Sequence, residues 1–200
     1  MLFIGDVHGK WTRYRDLIDG QTDTVQLGDF MVGYKMSNHA AEARILERME
    51  DGNHRFIRGN HDNPAACKAT SRWIPDGTVE GAYMFMGGAY SIDRAALIEG
   101  ADWWADEELS TGELGEMIDI YEETKPSIMV THDAPEKVAR QLFSLHPSGV
   151  SASRTRRALD IMLDIHRPDA WVFGHWHKSR RQIIEGTEFI CLRELEIANV

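Results

Sequence analysis

Short apolar runs alternate with amphipathic stretches along most of this 200-residue chain. Helical spacing of apolar residues predicts helices near 11–19, 38–50, 111–124, 134–145 and 153–166. The apolar runs predict strands at 1–5, 23–28, 54–58, 78–87, 127–131 and 169–173, with one or two more in 180–192. We expect the run 78–87 to form a hairpin that turns near Gly81. Strands that alternate with helices predict an α/β sandwich with a largely parallel sheet.

Composition narrows the class of protein. An apolar fraction of 42% with 27% charged residues is typical of a folded globular chain, and the length fits a single domain over 1–200. No apolar run approaches the ~18 residues of a membrane span. The first residues lack the basic region and cleavage site of a signal peptide, and Cys67 and Cys191 have no metal-ligand spacing, so we expect a cytoplasmic protein with reduced thiols.

The formal charge of −10 argues against a protein that binds nucleic-acid backbone over a broad surface. It leaves room for an anionic substrate, because bound cations would reverse the local field.

Five short polar segments each follow a predicted strand directly. Such positions matter because ligands of open α/β sheets bind beyond the carboxyl ends of the strands. Five of the nine histidines fall in these segments, and several of the segments carry a glycine that lets the backbone turn sharply. The segments are Gly5-Asp6-Val7-His8-Gly9, Gly28-Asp29, Gly59-Asn60-His61-Asp62, Thr131-His132-Asp133 and Gly174-His175-Trp176-His177.

Each segment alone has an ordinary structural interpretation. Gly-Asp and Asp-x-His are common by chance, and a lone Thr-His-Asp is more often a surface turn or a hydrogen-bonded core histidine than a metal ligand. The conjunction is far more specific, since all five segments carry oxygen or imidazole donors suited to a divalent metal and all follow apolar runs.

This order of segments resembles the calcineurin-like metallophosphoesterase family, and the resemblance spans residues 6 to 177. It implies a four-layer α/β/β/α sandwich and a dinuclear metal centre. The segments Gly87–Arg94, Trp103-Trp104 and Glu107–Ser110 look similar to small bacterial and phage-encoded members.

The resemblance also implies the ligands. Asp6, His8 and His177 would hold one metal ion, and Asn60, His132 and His175 would hold the other. Asp29 would bridge both ions. The implied reaction is hydrolysis of a phosphomonoester or phosphodiester by a metal-bridging hydroxide, without a phosphoenzyme, and His61 would protonate the leaving group.

The ligand types bear on the identity of the metals. Carboxylate, imidazole and amide donors without a thiolate suit two divalent or trivalent ions. We expect Mn²⁺ first, with Fe, Zn, Ni or Mg²⁺ as the other candidates.

Two departures move the chain away from the phosphoprotein-phosphatase branch. An Asp-Arg-Gly run follows the Gly-Asp segment in that branch, whereas Phe30 and Met31 follow it here, and Asp62 replaces a Glu. The carboxylate that would orient His61 is therefore undetermined.

Three residues are candidates for contacting the substrate phosphate: Asn60, Arg58 and Arg94. For Arg58 a structural ion pair is the favoured alternative, and for Arg94 the alternative is plain solvation in a turn.

Other polar and aromatic groups have structural interpretations. Trp103 and Trp104 could stack a nucleobase, but packing at a core edge is favoured. The acidic run 106–123 and the arginines of 154–157 are interpreted as solvent-exposed faces. The remaining histidines, which have no motif around them, are His39, His54, His146 and His166.

Three functions remain open. The first is a phosphoesterase acting on a small phosphate ester, such as a nucleotide, a cyclic nucleotide, a dinucleoside polyphosphate or, less expectedly, a phosphoprotein. The second is a scaffold or binding module that kept the fold and lost the chemistry. The third is a nuclease, which the acidic balance disfavours. The sequence does not determine the oligomeric state.

Overall fold

The computed structural model describes residues 1–145 and 152–200. His146 lies outside the described residues. The α-helices are α1 (Trp11–Ile18), α2 (His39–Arg48), α3 (Pro64–Lys68), α4 (Thr111–Thr124), α5 (Glu136–Phe143) and α6 (Arg154–Ile165). The strands are β1 (Leu2–Ile4), β2 (Asp23–Gln26), β3 (Asn53–Phe56), β4 (Val79–Glu80), β5 (Tyr83–Met86), β6 (Ile128–Thr131), β7 (Ala170–Phe173), β8 (Arg180–Ile184), β9 (Thr187–Cys191) and β10 (Ile197–Asn199).

The strands form two sheets that are both mainly parallel. The first sheet has the order β10-β1-β2-β3, with β10 antiparallel to β1. The second has the order β4-β5-β6-β7-β9-β8, in which the edge strands β4 and β8 are antiparallel to their neighbours. The central strands of each sheet therefore end at a common edge, where the polar segments begin.

The hydrophobic core lies in three layers, which define a four-layer α/β/β/α sandwich. Phe3 and Leu27 of the first sheet pack with Phe85 and Val172 of the second sheet. One outer layer packs α1 and α2 against the first sheet. The other packs α4, α5 and α6 against the second sheet. This arrangement buries both faces of each sheet and leaves the strand ends free for polar groups.

The predicted strands and helices are all present, including the hairpin near Gly81. Ser110 and Glu113 form a reciprocal capping box at the start of α4, as their spacing indicates. One α-helix and one strand of the described residues were not predicted: α3, which is only five residues long, and β10, which exists through its pairing with β1. Within the described part of the chain, no helix is long and apolar enough to cross a membrane.

Candidate metal centre

The polar segments converge where the two sheets meet. Carboxylate and imidazole atoms within 4.8 Å of one another form two groups, and Asp29 belongs to both. We call Asp6, His8 and His177 the outer set. We call Asn60, His132 and His175 the inner set. The seven candidate ligands are thus brought together in the division that the family resemblance implies.

Asp29 lies between the two sets and presents a different oxygen to each. Its Oδ2 is 3.6 Å from Nε2 of His8, and its Oδ1 is 3.4 Å from Nε2 of His132. The side chain is buried, and its Oδ1 also accepts a hydrogen bond of 2.9 Å from the backbone N–H of His61. A carboxylate held this way can bridge two cations.

The outer set opens toward solvent. Nε2 of His177 lies 3.1 Å from Oδ2 of Asp6 and 2.8 Å from Nε2 of His8. The His177 side chain is 48% exposed, whereas Asp6 is fully buried. Asp6 also accepts the backbone N–H of His175 at 3.0 Å, so its carboxylate connects the two segments that end β1 and β7.

The inner set is buried and has directed partners. His132 is fully buried, its Nδ1 lies 2.6 Å from the backbone oxygen of Leu27, and its Nε2 lies 3.2 Å from Oδ1 of Asn60. The Nδ1–H bond to Leu27 leaves Nε2 as the nitrogen able to bind a cation. The rings of His132 and His175 meet edge to face at 5.0 Å.

Two glycines make this convergence sterically feasible. A Cβ at Gly28, which has φ of +96°, would overlap Nδ1 of His132. A Cβ at Gly174 would overlap Oδ1 of Asp6. Each glycine follows one strand and lets a ligand from another strand pass over its backbone.

The pKa values of the centre reflect burial opposed by the neighbouring charges. Burial alone would raise the pKa of Asp29, but His132, His61 and His8 outweigh it and hold that pKa well below its usual range. Burial lowers the pKa of His132 and the adjacent Asp29 more than compensates, so the pKa rises to about 10. Burial dominates at His175 and lowers its pKa to about 4. The protonated His132 thus stands where the donor chemistry suits a metal cation.

His61 lies beside the two sets and belongs to neither. Its ring centroid is 5.5 Å from that of His8 and 6.3 Å from that of Tyr34. Among the described residues, no carboxylate hydrogen-bonds the His61 ring. Its position depends on its backbone bond to Asp29 and on Asp62, whose oxygens accept the backbone N–H groups of Gly59 and Val32.

Comparison with known proteins identifies the family. The calcineurin-like phosphoesterase family model matches residues 1–179. The chain belongs to that family. No curated protein matches the chain.

Two solved structures share the metallophosphoesterase fold. One is a Staphylococcus aureus protein designated a 5'-nucleotidase, in complex with alpha-ketoglutarate, with a TM-score of 0.61 and 12% identity over 96% of this chain. This chain spans 48% of that protein's length. The other is GAP50, the anchor in the inner membrane complex of Plasmodium, with a TM-score of 0.53 and 16% identity, covering 96% of this chain and 70% of that one.

The contacts of the two arginine candidates are with residues other than the candidate ligands. Arg58 is buried, and its Nε donates to Oδ2 of Asp76 at 2.8 Å while its Nη1 donates to the backbone oxygen of Glu107 at 2.7 Å. This placement favours the structural role of Arg58. Arg94 is exposed and stacks over the rings of Tyr90 and Trp103, at 4.4 Å and 5.9 Å.

The tryptophan pair packs as expected at a core edge. Trp104 is buried and its ring lies 6.2 Å from that of Tyr34. Trp103 is half-buried under Arg94.

The expectation that the acidic run and the arginines of α6 face solvent was wrong at four residues. Arg154 is part-buried and donates from Nε to the backbone oxygen of Leu109 at 2.6 Å. Glu107 and Glu108 are each 2% exposed, because hydrogen-bond donors from neighbouring segments surround them. Arg156 donates from Nε to the buried Oδ2 of Asp133 at 2.6 Å. Charge pattern alone does not reveal a buried partner that comes from a distant segment.

Asp133 is the residue near the centre that motif reasoning missed. It is fully buried, and its Oδ2 lies 3.9 Å from Nε2 of His175. Its Oδ1 accepts the indole N–H of Trp176 at 2.9 Å. Its place directly after His132 was the available signal, because carboxylates often lie next to metal-binding histidines and orient their rings.

Proposed function

We propose that the chain is a dinuclear metal-dependent phosphoesterase that hydrolyses phosphomonoesters, phosphodiesters or both. The observation that supports this most is the pair of donor sets joined through Asp29, with one oxygen directed at each set. The donors are carboxylate, imidazole and amide groups, which fit Mn²⁺, Fe, Zn²⁺, Ni²⁺ or Mg²⁺. Two such cations, when bound, supply Lewis-acid activation of water and stabilise charge on the phosphoryl oxygens.

The protein's own groups divide the remaining work. Asp29 holds the two sets at a fixed separation, because both of its oxygens are engaged and the side chain is buried. His61 is the proposed general acid, since its ring is close to the outer set but is not part of it. Its task is to give a proton to the oxygen of the departing alcohol.

The substrate class follows from the same features. Arg58 is engaged by Asp76 and Arg94 stacks over Tyr90, so we expect the metal centre to provide most of the recognition of a phosphate. The staphylococcal neighbour's designation as a 5'-nucleotidase makes nucleoside phosphates the first compounds to assay. The complete donor complement weighs against the scaffold alternative, in which loss of a ligand is the common outcome.

The first test uses purified protein, Mn²⁺, and p-nitrophenyl phosphate or its bis-ester. We expect turnover in the wild type and none in Asp29→Asn. A control variant, His39→Ala, changes an exposed histidine outside the centre and should retain full activity. If no divalent metal supports hydrolysis of either ester, the proposal fails.

The role of His61 has a sharper test. His61→Asn should retain both metals and lose roughly 10²–10⁴-fold in kcat on an alkyl phosphate, whose leaving group needs a proton. The loss on p-nitrophenyl phosphate should be much smaller, since nitrophenolate leaves without protonation. Equal losses on both substrates would remove His61 from the role of general acid.

A further inference from the structure

A buried hydrogen-bonded chain runs from Asn60 through Ser91 to Glu107. The amide Nδ2 of Asn60 donates to Oγ of Ser91 at 3.0 Å, and this hydroxyl donates to Oε2 of Glu107 at 2.6 Å. The backbone N–H of Ser91 donates to the other oxygen, Oε1, at 3.0 Å. All three residues are at most 3% exposed.

The donor and acceptor roles along these hydrogen bonds leave one orientation for the Asn60 amide. A serine hydroxyl has a single hydrogen, and here the carboxylate of Glu107 takes it. Oγ of Ser91 can then only accept, so it selects the NH₂ end of the amide. The carbonyl Oδ1 is thereby turned toward the inner set, 3.2 Å from Nε2 of His132.

We propose that Ser91 and Glu107 are positioning residues of the metal centre, acting through Asn60. They ensure that the amide presents its oxygen to the inner metal, because an NH₂ group cannot bind a cation. This inference rests on the proposed function, since it assumes that the inner set binds a metal.

The contacts around Glu107 hold the hydrogen-bonded residues Asn60, Ser91 and Glu107 in place. Arg58 donates to the backbone oxygen of Glu107, and Asp76, the ion-pair partner of Arg58, accepts the backbone N–H of Gly87 at 2.6 Å. The segments that contain Ser91 and Glu107 are thus anchored to the same buried ion pair.

Glu108 offers a matched control for Glu107. It is adjacent and equally buried, but its Oε1 accepts from Oγ of Ser153 at 2.7 Å and from the backbone N–H of Thr155 at 2.8 Å. Glu108 therefore supports the start of α6 and has no bond to Asn60. Glu107→Gln and Glu108→Gln impose the same chemical change with different consequences for the centre.

In Glu107→Gln we expect the donor and acceptor roles along the Asn60–Ser91–Glu107 hydrogen bonds to reverse. The Gln oxygen is needed by the Ser91 N–H, so the Gln NH₂ group faces Oγ of Ser91. The hydroxyl hydrogen must then turn toward Asn60, whose amide has to flip to accept it. The inner metal would meet an NH₂ group.

The experiment is Mn²⁺ titration of metal-free wild type, Glu107→Gln, Glu108→Gln and Ser91→Ala, by calorimetry and by the spin-coupled Mn–Mn EPR signal. We expect Glu107→Gln and Ser91→Ala to bind the inner Mn²⁺ about 10–100-fold more weakly and to lose the coupled signal. The outer site should be unchanged. Glu108→Gln should bind both ions normally.

Thermal unfolding of the same variants measures their stability. A loss of inner-site affinity in a variant that is as stable as wild type is then assigned to the positioning of Asn60. Inner-site affinities that match wild type in Ser91→Ala and Glu107→Gln, or that fall equally in Glu108→Gln, would overturn the inference. Wild-type protein that binds no metal would instead overturn the proposed function.

A cavity beside His8 carries a second, independent inference. It has a volume of about 420 Å³, which falls within the range of small-molecule sites, and its lining includes Thr12, Met31, Met36 and Asn38. None of its described lining residues is Asp, Glu, Lys or Arg. Met36 is 82% exposed, so its side chain is available to a ligand.

His8 is one of the residues that line the cavity, and the ring of His61 is 5.5 Å from that of His8. His8 is thus a neighbour of both the cavity and the proposed general acid. We infer that the cavity holds the leaving group and favours an uncharged organic group of about nucleoside size. This inference also rests on the proposed function and specifies its substrate class.

The test fills the cavity from α2. Ala41 lines the cavity, whereas Ala43 on the same helix is exposed and does not. We expect Ala41→Phe to weaken inhibition by adenosine monophosphate about tenfold and to leave inhibition by inorganic phosphate unchanged. Ala43→Phe should change neither constant. Met36→Ala, at an exposed residue, should weaken adenosine monophosphate inhibition several-fold without risk to folding.

Equal adenosine monophosphate inhibition in Ala41→Phe, Met36→Ala and wild type would overturn this second inference. So would a wild-type preference for a small charged ester such as phosphoserine. Hydrolysis of aryl phosphates would persist in either case, which distinguishes this failure from failure of the proposed function.

Discussion

The outer and inner sets share Asp29 and similar donors, yet they differ in burial and support. In the inner set His132 is fully buried and its second ring nitrogen is bonded to Leu27. In the outer set His177 is 48% exposed, and among the described residues its ring meets only the rings and carboxylates of the set itself. The core therefore holds the inner set throughout, whereas the outer set combines a buried carboxylate with an exposed histidine.

This difference in burial indicates which set should bind its metal ion with the more favourable free energy. Ligands with fixed orientation lose little conformational entropy when a cation binds. An exposed histidine loses more, and water can replace it at the cation. We therefore expect the inner set to bind its metal more tightly and the outer set to exchange its metal more readily.

The largest expected effect is the loss of an inner ligand. His132→Ala should reduce kcat/KM by roughly 10²–10³-fold, because electrostatic stabilisation at the phosphoryl group is lost. Excess Mn²⁺ should not restore activity, since the remaining buried donors are too few. Activity is measured across a Mn²⁺ titration, and rescue at high Mn²⁺ would contradict the tight inner site.

Loss of an outer ligand should be milder and reversible. His177→Ala should lower the outer-site affinity for Mn²⁺ by about 10–100-fold. Activity should return in millimolar Mn²⁺, because water can occupy the coordination position that His177 leaves. The measurement is the Mn²⁺ concentration at half-maximal rate. If His177→Ala behaves like His132→Ala, the two sets are equivalent and the comparison fails.

The support of the inner set can be weakened without touching a ligand. Asp133→Asn removes the buried partner of Arg156 and should lower the free energy of unfolding by about 3 kcal/mol. Asp164→Asn removes an exposed partner of Lys137 and should change the free energy of unfolding far less, because solvent screens that ion pair. Urea denaturation of the metal-free proteins compares them. Equal costs would mean that burial of Asp133 gives its ion pair no special weight.

The smallest expected effect, counted per pH unit, is a pH dependence of metal binding. With a pKa of about 10, His132 is protonated in the metal-free protein at neutral pH, and the metal must displace that proton. His175, with a pKa of about 4, is already neutral. Between pH 8 and pH 6 the inner-site affinity should therefore fall about tenfold per unit as pH falls. Calorimetry in two buffers would measure the released proton, and a pH-independent inner site would contradict the assignment.

Sequence reasoning reached the fold and the convergence of ligands because both depend on local signals. Apolar runs located the strands, and a polar segment at each strand end located the donors. Parallel strands bring those ends together without any knowledge of the loops between them. The roles of the individual donors came from resemblance to the family and stay predictions.

The support network could not be found in the same way. Glu107 and Asp133 are buried by contacts with segments far away in the chain, through Ser91 and Arg156 respectively. Their neighbours in sequence are polar, so local pattern assigns them to the surface. Strand β10 was missed for a related reason, since three residues become a strand only through pairing with β1.

The backbone of the metal centre is strained at its ligands. His8, Asp29, His175 and His177 have φ values of 46°, 56°, 65° and 51°, a left-handed conformation that non-glycine residues adopt infrequently. Each such residue costs about 1–3 kcal/mol. A gene copy released from selection for chemistry would gain stability by replacing any of them with glycine, so mutational drift would erase the ligands before it erased the fold. A donor side chain at all four positions is therefore what the proposed phosphoesterase activity would maintain against that drift.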